Sequence, residues 1–132
     1  MKPRLIALLI AAPAALGALA APARADISVI DNDKTLDVDC AKDPQVSLVG
    51  NHITVSLKGV CTKIAITGNN ETVTGSATTV YVAGNNNTLT LDAADDVTVV
   101  GNNNTLAVQK AIKRKAPKVA NSGTDNKISK PK

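Results

Sequence analysis

Apolar residues recur in a fixed frame along the middle of the chain. They stand four and two positions before a glycine, at Val46/Leu48, Ile64/Ile66, Val80/Val82 and Val97/Val99. They return five and seven positions after it, at Val55/Leu57, Val73, Leu89/Leu91 and Leu106/Val108. Alternation with period two puts one face of a strand inward and one outward, so each unit predicts strand, Gly-Asn turn, strand, connector. The seven-residue step across the turn recurs from Leu48 to Val55, Ile66 to Val73, Val82 to Leu89 and Val99 to Leu106.

The glycines that anchor this frame are Gly50, Gly68, Gly84, Gly101 and Gly123, at steps of 18, 16, 17 and 22 residues. Self-similarity at a short, nearly constant period is the signature of a stacked array and predicts an all-β fold, a short parallel β-solenoid (β-helix-like) of about five coils. Gly-Asn turns also close antiparallel hairpins, so a meander of β-hairpins is the alternative. One repeat buries too few aliphatic side chains to offset the entropy of ordering its roughly 17 residues, so the repeats must stack.

Stacking places like residues in columns about 4.8 Å apart. Asn51, Asn69, Asn85 and Asn102 would form a ladder of amide hydrogen bonds, with Thr54, Thr72, Thr88 and Thr105 in a second column beside it. Both columns have a structural use and double as a candidate ligand face. The domain layout that follows is N-terminal cap strands over 26–45, repeats over 46–108, a basic connector over 109–118 and a degraded terminal repeat, serving as a cap, over 119–130.

The first 25 residues look different. Lys2 and Arg4 precede an Ala/Leu-rich stretch from Leu5 to Ala21, and Ala23-Arg24-Ala25 is an A-x-A cleavage site. Pro13 and Gly17 interrupt the apolar run, which suits a cleaved signal peptide better than a membrane span. The expected address is secreted or periplasmic, with cleavage after Ala25, helix confined to the signal and no transmembrane segment afterwards. In that oxidising setting the only two cysteines, Cys40 and Cys61, predict a structural disulfide; closing a loop of about 20 residues is worth roughly 3 kcal/mol in the chain-entropy model.

Charge changes the picture at the C-terminal end. Of 15 basic and 11 acidic residues, the three basic ones in the signal are lost on cleavage. The segment 110–132 then holds eight basic residues against Asp125 alone, while 26–109 holds four lysines against ten acids. Lys113, Arg114 and Lys115 are the candidate anionic contact, for an envelope polymer or glycan. Exported address and the single aromatic, Tyr81, argue against nucleic acid, which is gripped by stacking rings. A solvated tail, or one folded back on Asp92, Asp95 and Asp96, is the duller outcome.

Candidate chemistry is sparse. His52 is the only histidine and sits in a turn, where a solvent-facing role is expected; no nucleophile, base and orienting group can be assembled around it. Asp31, Asp33, Asp37 and Asp39 alternate, but Thr35 and Leu36 break the EF-hand frame, and Asn and Thr replace the Asp of the Ca²⁺-binding β-roll. Asp92, Asp95 and Asp96 belong to a connector expected to be solvated. Asn70-Glu71-Thr72, Asn86-Asn87-Thr88 and Asn103-Asn104-Thr105 match N-x-[ST], which turn chemistry explains. The expectation is a non-enzymatic structural or interaction module with no cofactor and no metal, or alternatively a carbohydrate- or surface-binding module using the Asn/Thr columns.

The serial V-x-V-x-G-N-N-N-T-L units of Val80–Leu91 and Val97–Val108, with Cys40 and Cys61 flanking the first repeat after a signal peptide, resemble the bacterial secreted family called domain of unknown function 3060. The resemblance covers about residues 27–130. It implies an exported, β-rich bacterial protein and brings no activity. His52 and Ile53 in the first turn and the basic insertion 110–118 depart from its pattern.

Overall fold

In the computed structural model, which describes residues 26–131, the chain is a parallel β-solenoid of about six turns. Nine strands follow one another: β1 (Asp26–Asn32), β2 (Thr35–Asp39), β3 (Gln45–Asn51), β4 (Thr54–Asn69), β5 (Thr72–Ala83), β6 (Thr88–Val100), β7 (Thr105–Lys110), β8 (Lys118–Ser122) and β9 (Lys127–Ser129). Every pairing between them is parallel, which a meander of hairpins would not give. Residues 1–25, where the signal peptide and its helix are expected, lie outside the described residues. Among those described there is no helix long and apolar enough to cross a membrane.

Register follows the sequence frame. Val46 pairs with Ile64, Ile64 with Val80, Val80 with Val97 and Val97 with Val119 on one side of the solenoid. Val55, Val73, Leu89, Leu106 and Ile128 align on the other. The two apolar stripes face each other across a thin core of Val, Ile and Leu, closed at the side by Cys61, Ala77 and Ala94. Val82 and Val99 are direct neighbours in adjacent coils. Only aliphatic side chains fit so narrow a space without leaving voids, and the one aromatic, Tyr81, points outward.

Two features extend the sequence reading. First, the connectors of the central coils are not loops: β4, β5 and β6 run unbroken through them, with register irregularities at Ser56/Val60 and Gly75/Ser76, whereas the basic connector leaves the sheet between β7 and β8. Backbone groups at the bend still need partners, and the coil in front supplies them. Second, the N-terminal strands are a full coil in the same frame, since β1 pairs with β3 and β2 with β4. Asp31-Asn32-Asp33 there stands in for Gly-Asn-Asn.

The glycine column explains why that substitution is possible. A Cβ on Gly84 would fall inside the carbonyl oxygen of Gly68, and its φ of 145° disfavours any side chain. Each later glycine meets the carbonyl of the residue one coil earlier in the same way. Among the described residues no coil stands in front of Asp31, so a side chain is allowed. Two residues further along, His52, Asn70, Asn86, Asn103 and Asp125 share φ between 55° and 59° with Asp33, the left-handed region that Asn, Asp and His tolerate best.

Cys40, just after β2, is joined to Cys61 in β4, with Cα atoms 4.7 Å apart. The bridge ties coil 1 to coil 2.

Candidate functional site

The Gly-Asn corner carries two columns of amides. In the outer one, Asn51, Asn69, Asn85 and Asn102 are brought into a continuous ladder. Asn51 Nδ2 donates to Asn32 Oδ1 (3.1 Å), Asn69 Nδ2 to Asn51 Oδ1 (3.0 Å), Asn85 Nδ2 to Asn69 Oδ1 (3.1 Å) and Asn102 Nδ2 to Asn85 Oδ1 (3.3 Å). Thr124 Oγ1 closes the run on Asn102 Oδ1 at 2.7 Å. The same oxygens accept the backbone N–H of the next coil, as Asn85 N donates to Asn69 Oδ1. Most of the hydrogen-bonding capacity of these amides is thus spent within the protein.

The inner column was not singled out by sequence reasoning. Asn87 and Asn104 are fully buried at the third turn position. Asn87 Nδ2 donates to the Gly68 carbonyl (3.1 Å) while its Oδ1 accepts the Glu71 N–H (2.9 Å). Asn104 repeats this with Gly84 and Asn87, and Asn126 with Gly101 and Asn104. The third Asn of each G-N-N-N run is the signal that would have found it. Glu71 and Ile53 occupy the same column in the earlier coils.

The threonine column behaves differently from the ladder. Thr54, Thr88 and Thr105 are exposed and Thr72 half-buried. They align one above another through the register of β4, β5, β6 and β7. Two residues on, Ser56, Thr74 and Thr90 form a parallel column on the same outward face. Rows are about 4.8 Å apart across strands and about 6.6 Å along them. One hydroxyl of the set, Thr74 Oγ1, reaches a carbonyl, that of Val55, at 3.4 Å; no other has a protein partner among the described residues. β-Branching holds each Thr hydroxyl in few rotamers, so the face is a rigid lattice of groups that both donate and accept.

The basic segment is built in rather than trailing. Asp95 is 2% exposed. This corrects the expectation that the acidic connector is solvated at this residue. Its Oδ1 accepts the backbone N–H groups of Ile112 (2.7 Å) and Lys113 (2.9 Å). These bonds, that from Lys113 first, hold its carboxyl below the ordinary Asp range. Arg114 pairs with Asp96 at 3.1 Å, so it is not a free cation, whereas Lys113 and Lys115 project into solvent. Gln109 and Asp92 meet only at 3.5 Å. Beyond the loop the chain resumes the frame as β8 and β9.

The remaining candidates are dispersed. His52 is exposed, with Nδ1 3.7 Å from Asp33 Oδ1. Asp31 is capped by the Asn32 N–H and paired with Lys34, and Asp37 lies on another side of the coil. Among the described residues no three His, Cys, Asp or Glu side chains gather as a metal site. A shallow groove lies on the face of β1 and β3, lined by Asp26, Ser28, Gln45, Ser47, Lys63 and Ala65 among others.

No curated protein and no solved structure matches the chain. Residues 69–125, from the third Asn turn to the sixth, match the model of a family described as protein of unknown function (DUF3060). The stretch that builds the later Asn turns is thus the part of the chain that is similar to the DUF3060 family.

Proposed function

We propose that this protein is an exported, non-enzymatic interaction module of the cell envelope, and that it works by presenting a rigid hydroxyl lattice to an extended, repetitive surface such as a polysaccharide. The observation that carries the reading is the contrast between the two corner columns. The asparagines satisfy one another, while the neighbouring Thr/Ser face is ordered and almost without internal partners, with Thr54, Thr74, Thr88, Thr90 and Thr105 exposed and Ser56 and Thr72 half-buried. A lattice already held in place costs little entropy to engage. A chain of sugars offers hydroxyls at a comparable repeat. The signal-like N-terminus supports the exported address, and the amide ladder supports a structural rather than a ligand-binding role for Asn51, Asn69, Asn85 and Asn102.

The test is retention on insoluble polysaccharides and a glycan array, comparing the protein with a Thr72→Val/Thr88→Val/Thr90→Val variant. Valine keeps the β-branched shape and removes the hydroxyl. Binding that falls at least tenfold with an unchanged melting temperature supports the reading; equal binding by the two proteins, or none by either, overturns it.

A second reading rests on Lys113 and Lys115. They stand on a loop fixed by Asp95, which suits contact with an anionic envelope polymer. Such binding would weaken with salt, because screening shortens to about 8 Å near physiological ionic strength.

A further inference from the structure

Glu71 is the one acid in the inner corner column. It is 1% exposed, and both carboxyl oxygens lack a hydrogen-bond partner among the described residues. The other occupants of that column define what the position requires. Asn87, Asn104 and Asn126 each donate one amide N–H to the glycine carbonyl of the coil in front, at 3.1, 2.9 and 2.8 Å. Each also accepts the backbone N–H of the preceding column member. The corresponding groups for Glu71 are the Gly50 carbonyl and the Ile53 N–H. Oε1 already lies in the glycine column: a Cβ built on Gly68 would meet it at 2.8 Å, beside the Gly50 oxygen.

A carboxylate is acceptor-only and cannot answer a carbonyl. A carboxylic acid can: one oxygen accepts and the other donates, as an amide does. We propose that Glu71 is held as the neutral acid, its O–H donating to the Gly50 carbonyl, and that it acts as a proton-operated latch on the corner between coils 2 and 3. Loss of the proton leaves a buried anion against a carbonyl oxygen, and the corner loosens.

The surroundings allow no other source of compensation. Coil 2 presents Ile53 and the Gly50 carbonyl to Glu71, and coil 4 presents the neutral Asn87. The ionisable residues of the same corner are exposed: His52 Nδ1 lies 3.7 Å from Asp33 Oδ1, and Lys34, the member of this column in coil 1, pairs with Asp31. Burial alone pushes the Glu71 carboxyl from 4.5 up to about 7. The sign follows from linkage. Between 4.5 and about 7 the unfolded chain has lost this proton and the folded chain keeps it, so the contribution of Glu71 to stability is fully present below 4.5 and is lost as pH rises to about 7.

The experiment is thermal unfolding across that window for the full chain, Glu71→Gln and Glu71→Asn, with the Glu71 side-chain carboxyl followed by ¹³C NMR in the unsubstituted protein. The amides donate at every pH. The expected result is a melting temperature that falls through the window in the unsubstituted protein and stays level in both variants. The carboxyl resonance should titrate well above the ordinary glutamate range. His52→Asn, which removes the imidazole of this corner, should leave the fall in place. A carboxyl that titrates as an ordinary glutamate overturns the proposal, as does a slope that survives in the amide variants or disappears with His52. Should neither amide variant fold, the NMR titration decides alone.

Discussion

Among the described residues the solenoid runs from coil 1, with no further strand paired on the outer edge of β1 and β2, to β8 and β9, only five and three residues long. Both edges need a reason not to peel and a reason not to recruit another strand. The first is stapled covalently by Cys40–Cys61 and lined with Asp26, Asp31, Asp33 and Asp37. The second has no covalent tie. Its route is set by Asp95, which holds the loop that leads into β8, and its rim carries Lys118, Lys127 and Lys130. The difference teaches that a repeat supplies stacking energy but not termination. Each end has acquired its own device from residues that break the frame: a disulfide and an Asp in the glycine column at one end, a buried carboxylate and an insertion at the other.

The comparison predicts first that a break in the middle outweighs one at either end. Gly84→Ala places a methyl group in the Gly68 carbonyl, at a φ of 145°. Neither coil can move without disturbing the next, so the cost should exceed about 4 kcal/mol, the range reached only by a gross steric or burial defect. Chemical denaturation should find the variant largely unfolded. Asp31→Ala at the equivalent position of coil 1, with no carbonyl in front of it, should melt near the parent. Equal loss in both would mean that the glycine column is not fixed by stacking.

The next largest effect belongs to the covalent staple. Replacing Cys40 and Cys61 with Ser opens a loop of separation 21, and the expected loss is about 3 kcal/mol. Hydrogen exchange should localise it: amides of β1 and β2 lose protection, while those of β7 and β9 keep theirs. Uniform loss along the chain would show that the N-terminal coil nucleates the whole stack.

The two ends also differ in how much of them the sequence discloses. The apolar frame from Val46 to Val108 is legible because every coil repeats it, and the cysteine pair because two cysteines behind a signal-like N-terminus imply a bridge. Coil 1 hides its membership of the stack. Asp31 replaces the glycine that marks a coil, and the reason for glycine is a carbonyl in the preceding coil, which no local pattern reveals. Connectors such as 58–63 and 92–96 hide their strand character because pairing with the neighbouring coil, not alternation, keeps them extended. Asp95 is invisible for a related reason: among Asp92, Asp95 and Asp96 only the fold decides which carboxylate turns inward to meet Ile112 and Lys113. On the candidate face, the Thr column could be read directly from spacing. The Ser56/Thr74/Thr90 column lies two residues further along each strand and follows from the same alternation.

A smaller effect is expected at the C-terminal end. Asp95→Ala leaves the Ile112 and Lys113 N–H groups without their acceptor. The stack should remain, but the loop should be freed, and trypsin should cut at Lys113, Arg114 or Lys115 at a rate that the parent resists. The same loosening should follow from acid. Because the folded Asp95 carboxyl titrates below 3.8, its contribution is present above 3.8 and disappears as pH falls through the depressed value. A parent loop that trypsin cuts as fast as the variant's would show that Asp95 does not secure this end.

The smallest effect separates the two ways the loop is held. Arg114 and Asp96 meet at 3.1 Å, but their side chains are 51% and 40% exposed. Exposed pairs of this kind contribute about 0.2–1 kcal/mol and weaken with salt. Arg114→Gln should therefore shift the melting temperature little and leave the loop resistant to trypsin at its remaining lysines, since the backbone bonds to Asp95 are intact. Lys113→Gln/Lys115→Gln should not shift it at all, because neither side chain has an acidic partner among the described residues. If those two lysines contact an anionic polymer, their loss reduces retention on a phosphate-bearing support while stability is unchanged. A melting temperature that falls with Arg114→Gln as far as with Asp95→Ala would move the anchor from the buried backbone bonds to the surface ion pair. The C-terminal end would then be guarded by charge alone, and its protection, unlike the disulfide at the other end, would vanish in high salt.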